Sequence, residues 1–119
     1  MPSLELMINV QVPDEKEFAL QLSKIGTKAL GKPEGHITVS ITYNKTLTFA
    51  GTFEPAFALS VMQLNGSVEA NEKLSAAFSE FLKERLNIPN DRGYITFVDP
   101  GPGYVGFKGT TFATIMAKK

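Results

Sequence analysis

The first residues of the chain contain a group that could act as a base near neutral pH. Proline follows Met1, so removal of Met1 would leave the nitrogen of Pro2 as a free secondary amine. An α-amino group titrates near ~7.7–8.0, and desolvation or a nearby cation would bring its pKa closer to neutrality. A general base works best in that range. Pro2 alone leaves a second interpretation open, in which it is simply a proline at the start of an edge strand.

Composition excludes several other kinds of chemistry. The 119 residues contain no cysteine, which excludes disulfides, a thiol nucleophile and a thiolate metal site. A catalytic triad or histidine metal cluster would have to be built around one histidine, His36, so neither is expected. Twelve basic residues balance twelve acidic ones, and we therefore expect neither nucleic acid nor a membrane surface as a partner.

The sequence also indicates where the protein acts. No stretch approaches the ~20 apolar residues of a transmembrane helix, so membrane insertion is not expected. The N-terminal residues lack a basic segment followed by an uninterrupted apolar run, which is the pattern of a signal peptide. We expect a cytoplasmic protein, or one secreted without a signal peptide.

Alternating and helical patterns predict the order β-α-β, β, β-α-β and a tail. Helical spacing predicts a first helix that begins after Asp14 and is capped by Gly31, and a second over about residues 68–86. Extended segments are predicted at 3–10, 36–43, 56–64, 93–98 and, as a last short strand, 110–116, and residues 46–53 are predicted to form a short extended piece and a loop around Gly51.

The two halves of the chain echo each other. Residues 29–41 close the first helix and enter a strand, and residues 85–98 repeat this arrangement. Each half is therefore a βαβ unit whose crossover places its helix on a shared sheet. We predict one domain over residues 1–119 of the α/β (α+β) class, with a duplicated βαβ unit and a four-stranded mixed sheet carrying two helices on one face.

Two helices leave the other face of such a sheet uncovered. By alternation, that face carries small, semi-polar residues where a solvated face usually carries Lys and Glu: Thr38, Ser40, Thr42, Ala56, Ala58, Ser60 and Met62. We infer that it meets other subunits or lines a narrow solvated channel. A homo-oligomer is therefore expected.

Six features taken together resemble the macrophage migration inhibitory factor family within the tautomerase superfamily. They are Pro2, the duplicated βαβ pattern and the motifs GKP at 31–33, LTFAGTFEP at 47–55, DRGYITF at 91–97 and VGFKGTTFA at 105–113. The resemblance covers essentially the whole chain. It implies a homotrimer whose helices lie outside and whose sheets face a central channel.

The resemblance also implies an activity. Pro2 matches the family's catalytic proline, which removes a proton beside a carbonyl and redelivers it elsewhere. The implied reactions are keto–enol tautomerisation of phenylpyruvate-type α-keto acids and isomerisation of dopachrome-type substrates, with no metal or organic cofactor. A pocket that disfavours the protonated amine is required.

Two residues match the family's carboxylate-binding positions. Lys32 matches the lysine that holds the substrate carboxylate, and its charge would also lower the pKa of Pro2. A cation favoured by the helix dipole is the other interpretation of Lys32. Leu64 falls where the family uses a backbone N–H toward the same carboxylate, although a plain strand-end leucine fits equally.

Aromatic and apolar residues match the rest of the implied pocket. Tyr94 matches a tyrosine that reaches into the pocket of a neighbouring subunit, although an aromatic packed on a strand is an alternative. Val105, Phe107 and Phe112 match apolar positions near the pocket mouth and floor, where ordinary packing is the alternative.

The chain departs from the family pattern at several positions. Thr96 stands where relatives commonly carry a substrate-contacting Asn, and a hydroxyl lacks the reach of an amide. His36 stands where many relatives carry an aromatic at the pocket rim, although an exposed strand residue is the other interpretation. Ala56 and Leu59 occupy the positions of a C-x-x-C motif, so thiol-redox chemistry is excluded there.

Three functional hypotheses follow. The first is a cofactor-free tautomerase that acts on a small α-keto acid or enol. The second is a cytokine-like signalling protein that acts through its surface on a cell-surface receptor, with vestigial catalysis. The third is a non-catalytic binding module of ferredoxin-like type, which a monomer with no pocket at Pro2 would favour.

Overall fold

The computed structural model describes residues 1–118, which form one four-stranded sheet, a small hairpin and three helices. The main sheet comprises β1 (Ser3–Ile8), β2 (Thr38–Tyr43), β3 (Phe57–Met62) and β4 (Gly93–Val98). The helices are α1 (Glu15–Leu30), α2 (Val68–Leu86) and α3 (Phe112–Ala117), and the hairpin pairs β5 (Gly106–Phe107) with β6 (Thr110–Thr111). Among these helices, none has the length and apolar character that a membrane crossing requires.

Strand pairing confirms the duplicated βαβ arrangement. The strand order is β2-β1-β3-β4, with β1 parallel to β2, β3 parallel to β4, and β1 antiparallel to β3. Leu4 lies opposite Val39 on one side and Val61 on the other, and Val61 in turn lies opposite Phe97. The two units therefore meet at a central antiparallel pair, which makes the sheet mixed, as predicted.

The hydrophobic core lies between one face of this sheet and the two long helices. Because strand side chains alternate, Leu4, Leu6 and Ile8 of β1 all point to the helix-covered face, and each is at most 2% exposed. Other buried core side chains are Phe18, Leu22, Phe57, Leu59, Val61, Leu74, Phe78, Phe81, Leu82 and Ile88. Each such side chain contributes about 1.5–3 kcal/mol on burial, so the core fixes both helices on the same face.

Caps define the ends of the long helices. The Asp14 carboxylate accepts a hydrogen bond from the Glu17 N–H (3.0 Å), and Gly31 ends α1 with φ 67°. The Ser67 hydroxyl accepts from the Ala70 N–H (3.1 Å) at the start of α2. Both helices thus begin and end where the sequence predicts.

The opposite face of the sheet is open, as expected. Thr38, Ser40, Thr42 and Ala58 are exposed along it. The prediction was wrong for Ala56, which is 0% exposed. Ala56 precedes β3, and its N–H donates to the Asn9 side-chain oxygen (2.8 Å), a contact that strand alternation does not encode.

The predicted strand at 110–116 is also wrong. Only its first two residues pair, and α3 begins at the next position. The Thr111 hydroxyl accepts from the Thr114 N–H (3.4 Å) and caps this helix. Alanine and methionine then favour the helical conformation over the extended one.

The loop predicted around Gly51 is confirmed as a tight turn, whereas the short extended piece predicted beside it is reduced to one bridge between Phe49 and Thr52. Ala50 and Gly51 have φ 53° and 73°, and the main chains of Phe49 and Thr52 pair across them (3.1 Å). Positive φ values at two successive residues reverse the chain, so no longer strand forms.

Three strands are shorter than predicted. β1 ends at Ile8, and β3 occupies only Phe57–Met62. β2 begins at Thr38 because Glu34–His36 forms a 3₁₀ turn, in which the His36 N–H donates to the Pro33 carbonyl (3.0 Å). His36 therefore lies in the connection that leads into β2.

Replacing Gly93 by alanine should destabilise the fold. A Cβ at Gly93 would collide with the carbonyl oxygen of Phe57, its partner across the β3–β4 pair. We expect a loss of about 1–3 kcal/mol in the free energy of unfolding, measured by urea denaturation. Gly103→Ala is the matched control, because no described atom outside its neighbours lies within 4 Å of the added carbon. Equal midpoints for the two variants would contradict this packing.

Candidate active site

Strand pairing places Pro2 at the centre of one end of the sheet. Ser3, the first residue of β1, lies opposite Thr38 at the start of β2 and opposite Met62 at the end of β3. The Pro2 carbonyl accepts a hydrogen bond from the Thr38 N–H (3.0 Å), and Pro2 is buried. The N-terminus is therefore held between two strands.

An apolar cavity of about 360 Å³ opens at this end of β1. Its wall comprises Met1, Pro2, Ser3, Gly35, His36, Ile37, Thr38, Val105, Gly106, Phe107 and Phe112. The rings of Phe107 and Phe112 stack with centroids 5.6 Å apart and planes 3° from parallel. The cavity thus brings Pro2 together with Val105 and Phe112, and it offers a flat aromatic surface to a ligand.

Electrostatics at the cavity favour a neutral amine. Burial lowers the pKa of the Met1 amine from its ordinary value of 8.0, and the positive charge of Lys32 lowers it further. Both causes act against the protonated form, since an apolar wall solvates the charge poorly and a nearby cation repels it. The neutral, proton-accepting form of the Met1 amine is therefore favoured.

Lys32 and Leu64 line a second hollow rather than the wall of the Pro2 cavity. This hollow has a volume of about 260 Å³ and also contains Gln63 and Lys73. Leu64 lies just beyond the end of β3, and exposed Lys32 follows the glycine that ends α1. Lys32 is nonetheless close enough for its charge to act on the terminal amine.

Tyr94 and Thr96 lie apart from Pro2 within one chain. Both are on β4 and face the open side of the sheet, where they line a hollow of about 440 Å³ with Glu5, Ser40 and Ser60. The Tyr94 side chain is 75% exposed, which is high for a large aromatic residue. A single chain does not bring these two residues to the amine.

Ile37 and Thr38 are cavity residues that the sequence predictions did not single out. They line the cavity because β2 runs parallel to β1, so that its first residues flank Pro2. A prediction that the start of β2 pairs with the start of β1 would have identified both residues as neighbours of Pro2. Among residues 1–118, no group of three or more His, Cys, Asp or Glu side chains is placed to hold a metal ion.

Comparison with known proteins agrees with this fold. The family model described as macrophage migration inhibitory factor (MIF) matches residues 1–113. The chain is 34% identical over 122 residues to MIF-like protein mif-2 of Caenorhabditis elegans, covering 99% of this chain and 100% of that relative. It is 30% identical over 113 residues to D-dopachrome decarboxylase-B of Xenopus laevis, covering 92% and 96%. The structure of macrophage migration inhibitory factor from Trichinella spiralis superposes with a TM-score of 0.85 at 30% identity, over 92% of this chain and 99% of that one.

These matches first define the class of protein, an α+β chain with the tautomerase-type fold. The chain belongs to the macrophage migration inhibitory factor family. The resemblance seen in the sequence motifs is thereby confirmed.

Removing the charge of Lys32 should raise the pKa of the N-terminal amine. Lys32→Gln removes the charge that repels the protonated amine but leaves the amine as buried as before. The pKa of the amine should therefore rise, although burial should still lower it. The measurement is an NMR titration of the terminal residue, on protein whose N-terminus is identified by mass spectrometry. Lys45→Gln is the control, because Lys45 follows the opposite end of β2. A pKa that stays unchanged or falls in Lys32→Gln would contradict the assigned cause.

Proposed function

We propose that the protein is a cofactor-free tautomerase that uses the Pro2 amine as its base once Met1 is removed. Family membership and the fold support isomerase-type activity in general. The observation that carries the finer proposal is an N-terminal amine of lowered pKa beside an apolar cavity. Phenylpyruvate-type α-keto acids are the proposed substrates, since they combine an aromatic ring with a carboxylate. Dopachrome-type compounds likewise combine a conjugated ring with a carboxylate.

The proposed reaction is a proton transfer without net change of atoms or charge. The neutral Pro2 nitrogen takes a proton from the carbon beside the substrate carbonyl, and the protonated Pro2 then gives that proton to the carbonyl oxygen, directly or through a water molecule, which yields the enol and restores the neutral amine. In the reverse direction the protonated Pro2 returns a proton to carbon. A lowered pKa suits this task because it increases the fraction of the terminal amine that is neutral at a given pH.

Two groups of residues would hold the substrate. Lys32 would bind the carboxylate by charge, and the backbone N–H of Leu64 would add a hydrogen bond from the neighbouring hollow. Val105 and Phe112 would contact the aromatic ring within the cavity. The ring would thus point into the apolar cavity while the carboxylate faces the cation.

We further propose that the active assembly is a homotrimer in which each site takes residues from two chains. The open sheet face carries small side chains together with the exposed Tyr94, as a surface buried by another copy would. Tyr94 and Thr96 lie away from the Pro2 cavity of their own chain. They would therefore serve the cavity of a neighbouring chain.

Replacing the proposed base should abolish most of the activity. In Pro2→Ala, a primary amine on a flexible residue would replace the rigid secondary amine, and phenylpyruvate ketonisation should fall by about 100-fold or more. Ultraviolet absorbance follows the reaction, and mass spectrometry establishes loss of Met1 in both proteins. Pro13→Ala, in the turn after β1, is the control and should retain wild-type activity. Full activity in Pro2→Ala would remove Pro2 from the mechanism.

A carboxylate placed on the open sheet face should break the assembly. Ala58 is exposed between Met7 and Tyr94 across the sheet, so Ala58→Glu would bury an unpaired charge in the proposed interface. Sedimentation should show three chains in the wild type and a smaller species in this variant, with unchanged circular dichroism. Ala76→Glu, on the exposed side of α2, should leave the assembly intact. A wild-type protein that sediments as a single chain would contradict the trimer.

A further inference from the structure

The loop between β2 and β3, residues 44–56, is held by an arginine through three hydrogen bonds. The Arg92 guanidinium donates to the carbonyl oxygens of Phe49 (3.0 Å), Glu54 (2.8 Å) and Pro55 (3.1 Å). Arg92 immediately precedes β4, and its own carbonyl accepts from the Phe57 N–H (3.1 Å). The loop is therefore fastened to the strand that carries Tyr94.

Asn9 fastens the same loop from the other side. Its side-chain amide lies within hydrogen-bond distance of the carbonyl oxygens of Leu47 (3.1 Å), Phe53 (3.3 Å) and Glu54 (2.9 Å). Its oxygen accepts from the Ala56 N–H. Six contacts from these two side chains thus converge on backbone carbonyls of one loop.

The loop presents the ring of Phe49 to Tyr94. The two ring centroids are 5.5 Å apart with planes at 48°, and the Arg92 guanidinium carbon lies 5.3 Å from the Phe49 centroid. Phe49 is thus positioned by Arg92 through both its carbonyl and its ring. The otherwise exposed Tyr94 ring gains an aromatic neighbour that restricts its orientation.

We propose that Phe49 and Arg92 are positioning residues that fix Tyr94 for its role at the substrate site of a second copy. The inference rests on the proposed function, which gives Tyr94 that role. An exposed tyrosine with free rotamers would lose conformational entropy on binding a substrate, and a ring already fixed avoids that cost. Arginine is required because its planar donors reach several carbonyls at once, which a lysine ammonium cannot match.

A double-mutant cycle between Phe49 and Tyr94 tests the proposal. Phe49→Leu keeps an apolar side chain but removes the ring, and kcat/KM for phenylpyruvate should fall about threefold to tenfold, mainly through KM. In a Tyr94→Ala background, the same change should alter kcat/KM by less than about twofold, because the residue it positions is gone.

Phe53→Leu is the matched control. Phe53 belongs to the same loop, is 64% exposed, and makes no ring contact with another aromatic among residues 1–118. It should retain the wild-type kcat/KM. Arg92→Lys provides a second perturbation of the proposed path and should raise KM in the same direction as Phe49→Leu. It should also speed hydrogen exchange of the Thr52 amide, which bonds to Phe49 across the turn (3.1 Å).

The outcomes separate this inference from the proposed function. If activity collapses in Pro2→Ala, the proposed tautomerase function stands. If the Phe49→Leu effect nevertheless persists in the Tyr94→Ala background, the positioning role of Phe49 is overturned. Equal losses in Phe49→Leu and Phe53→Leu would do the same, because they would indicate a general effect on the loop. An inactive, correctly processed wild type would overturn both proposals.

Discussion

The antiparallel pairing of β1 with β3 is the contact on which the rest of the structure depends. It joins the two βαβ units in the middle of the sheet and sets both helices on one face. The same pairing encloses Pro2, since the first residue of β1 lies between the start of β2 and the end of β3. The open face of the sheet and the burial of Pro2 therefore both follow from the register of β1 with β3.

The strand register places the N-terminus in the candidate site, where burial and the charge of Lys32 both lower the pKa of the terminal amine. The apolar cavity and the charge of Lys32 both disfavour a protonated amine at the N-terminus, which is the condition that the proposed Pro2 base requires. The aromatic residues are divided between two places. Phe107 and Phe112 are at the cavity, whereas Tyr94 lies on the open face beside Phe49. The proposed trimer accounts for this division by letting one chain complete the site of another.

Local patterns were sufficient to predict most of the elements, whereas contacts distant in sequence were not. The second helix runs over Val68–Leu86, as its periodicity and flanking residues predict, because capping and spacing are local properties. Burial of Ala56 depends on Asn9, 47 residues away, so alternation placed it on the wrong face. The helix Phe112–Ala117 was missed because its threonine and isoleucine favour strands, while its cap at Thr111 is a single weak signal.

The candidate site shows the same difference between local motifs, which could be predicted, and contacts distant in sequence, which could not. Motifs singled out Pro2, Val105 and Phe112 as candidate site residues, and the structure brings all three to one cavity. Ile37 was not found, because only the parallel register of β1 and β2 places it beside Pro2. The contacts of Arg92 with the loop were not predicted either, because the three carbonyl oxygens that accept its hydrogen bonds belong to residues 37 to 43 positions away in the chain.

Alkylation of the processed protein by 3-bromopyruvate tests the central claim most directly. A neutral Pro2 nitrogen would attack the brominated carbon, forming an N–C bond as bromide leaves and the amine proton passes to solvent. Peptide mass spectrometry after brief exposure at neutral pH should show a single adduct on the N-terminal peptide, and phenylpyruvate should slow its formation. Labelling spread over the lysines, or an unmodified N-terminus on correctly processed protein, would contradict a neutral catalytic amine at this site.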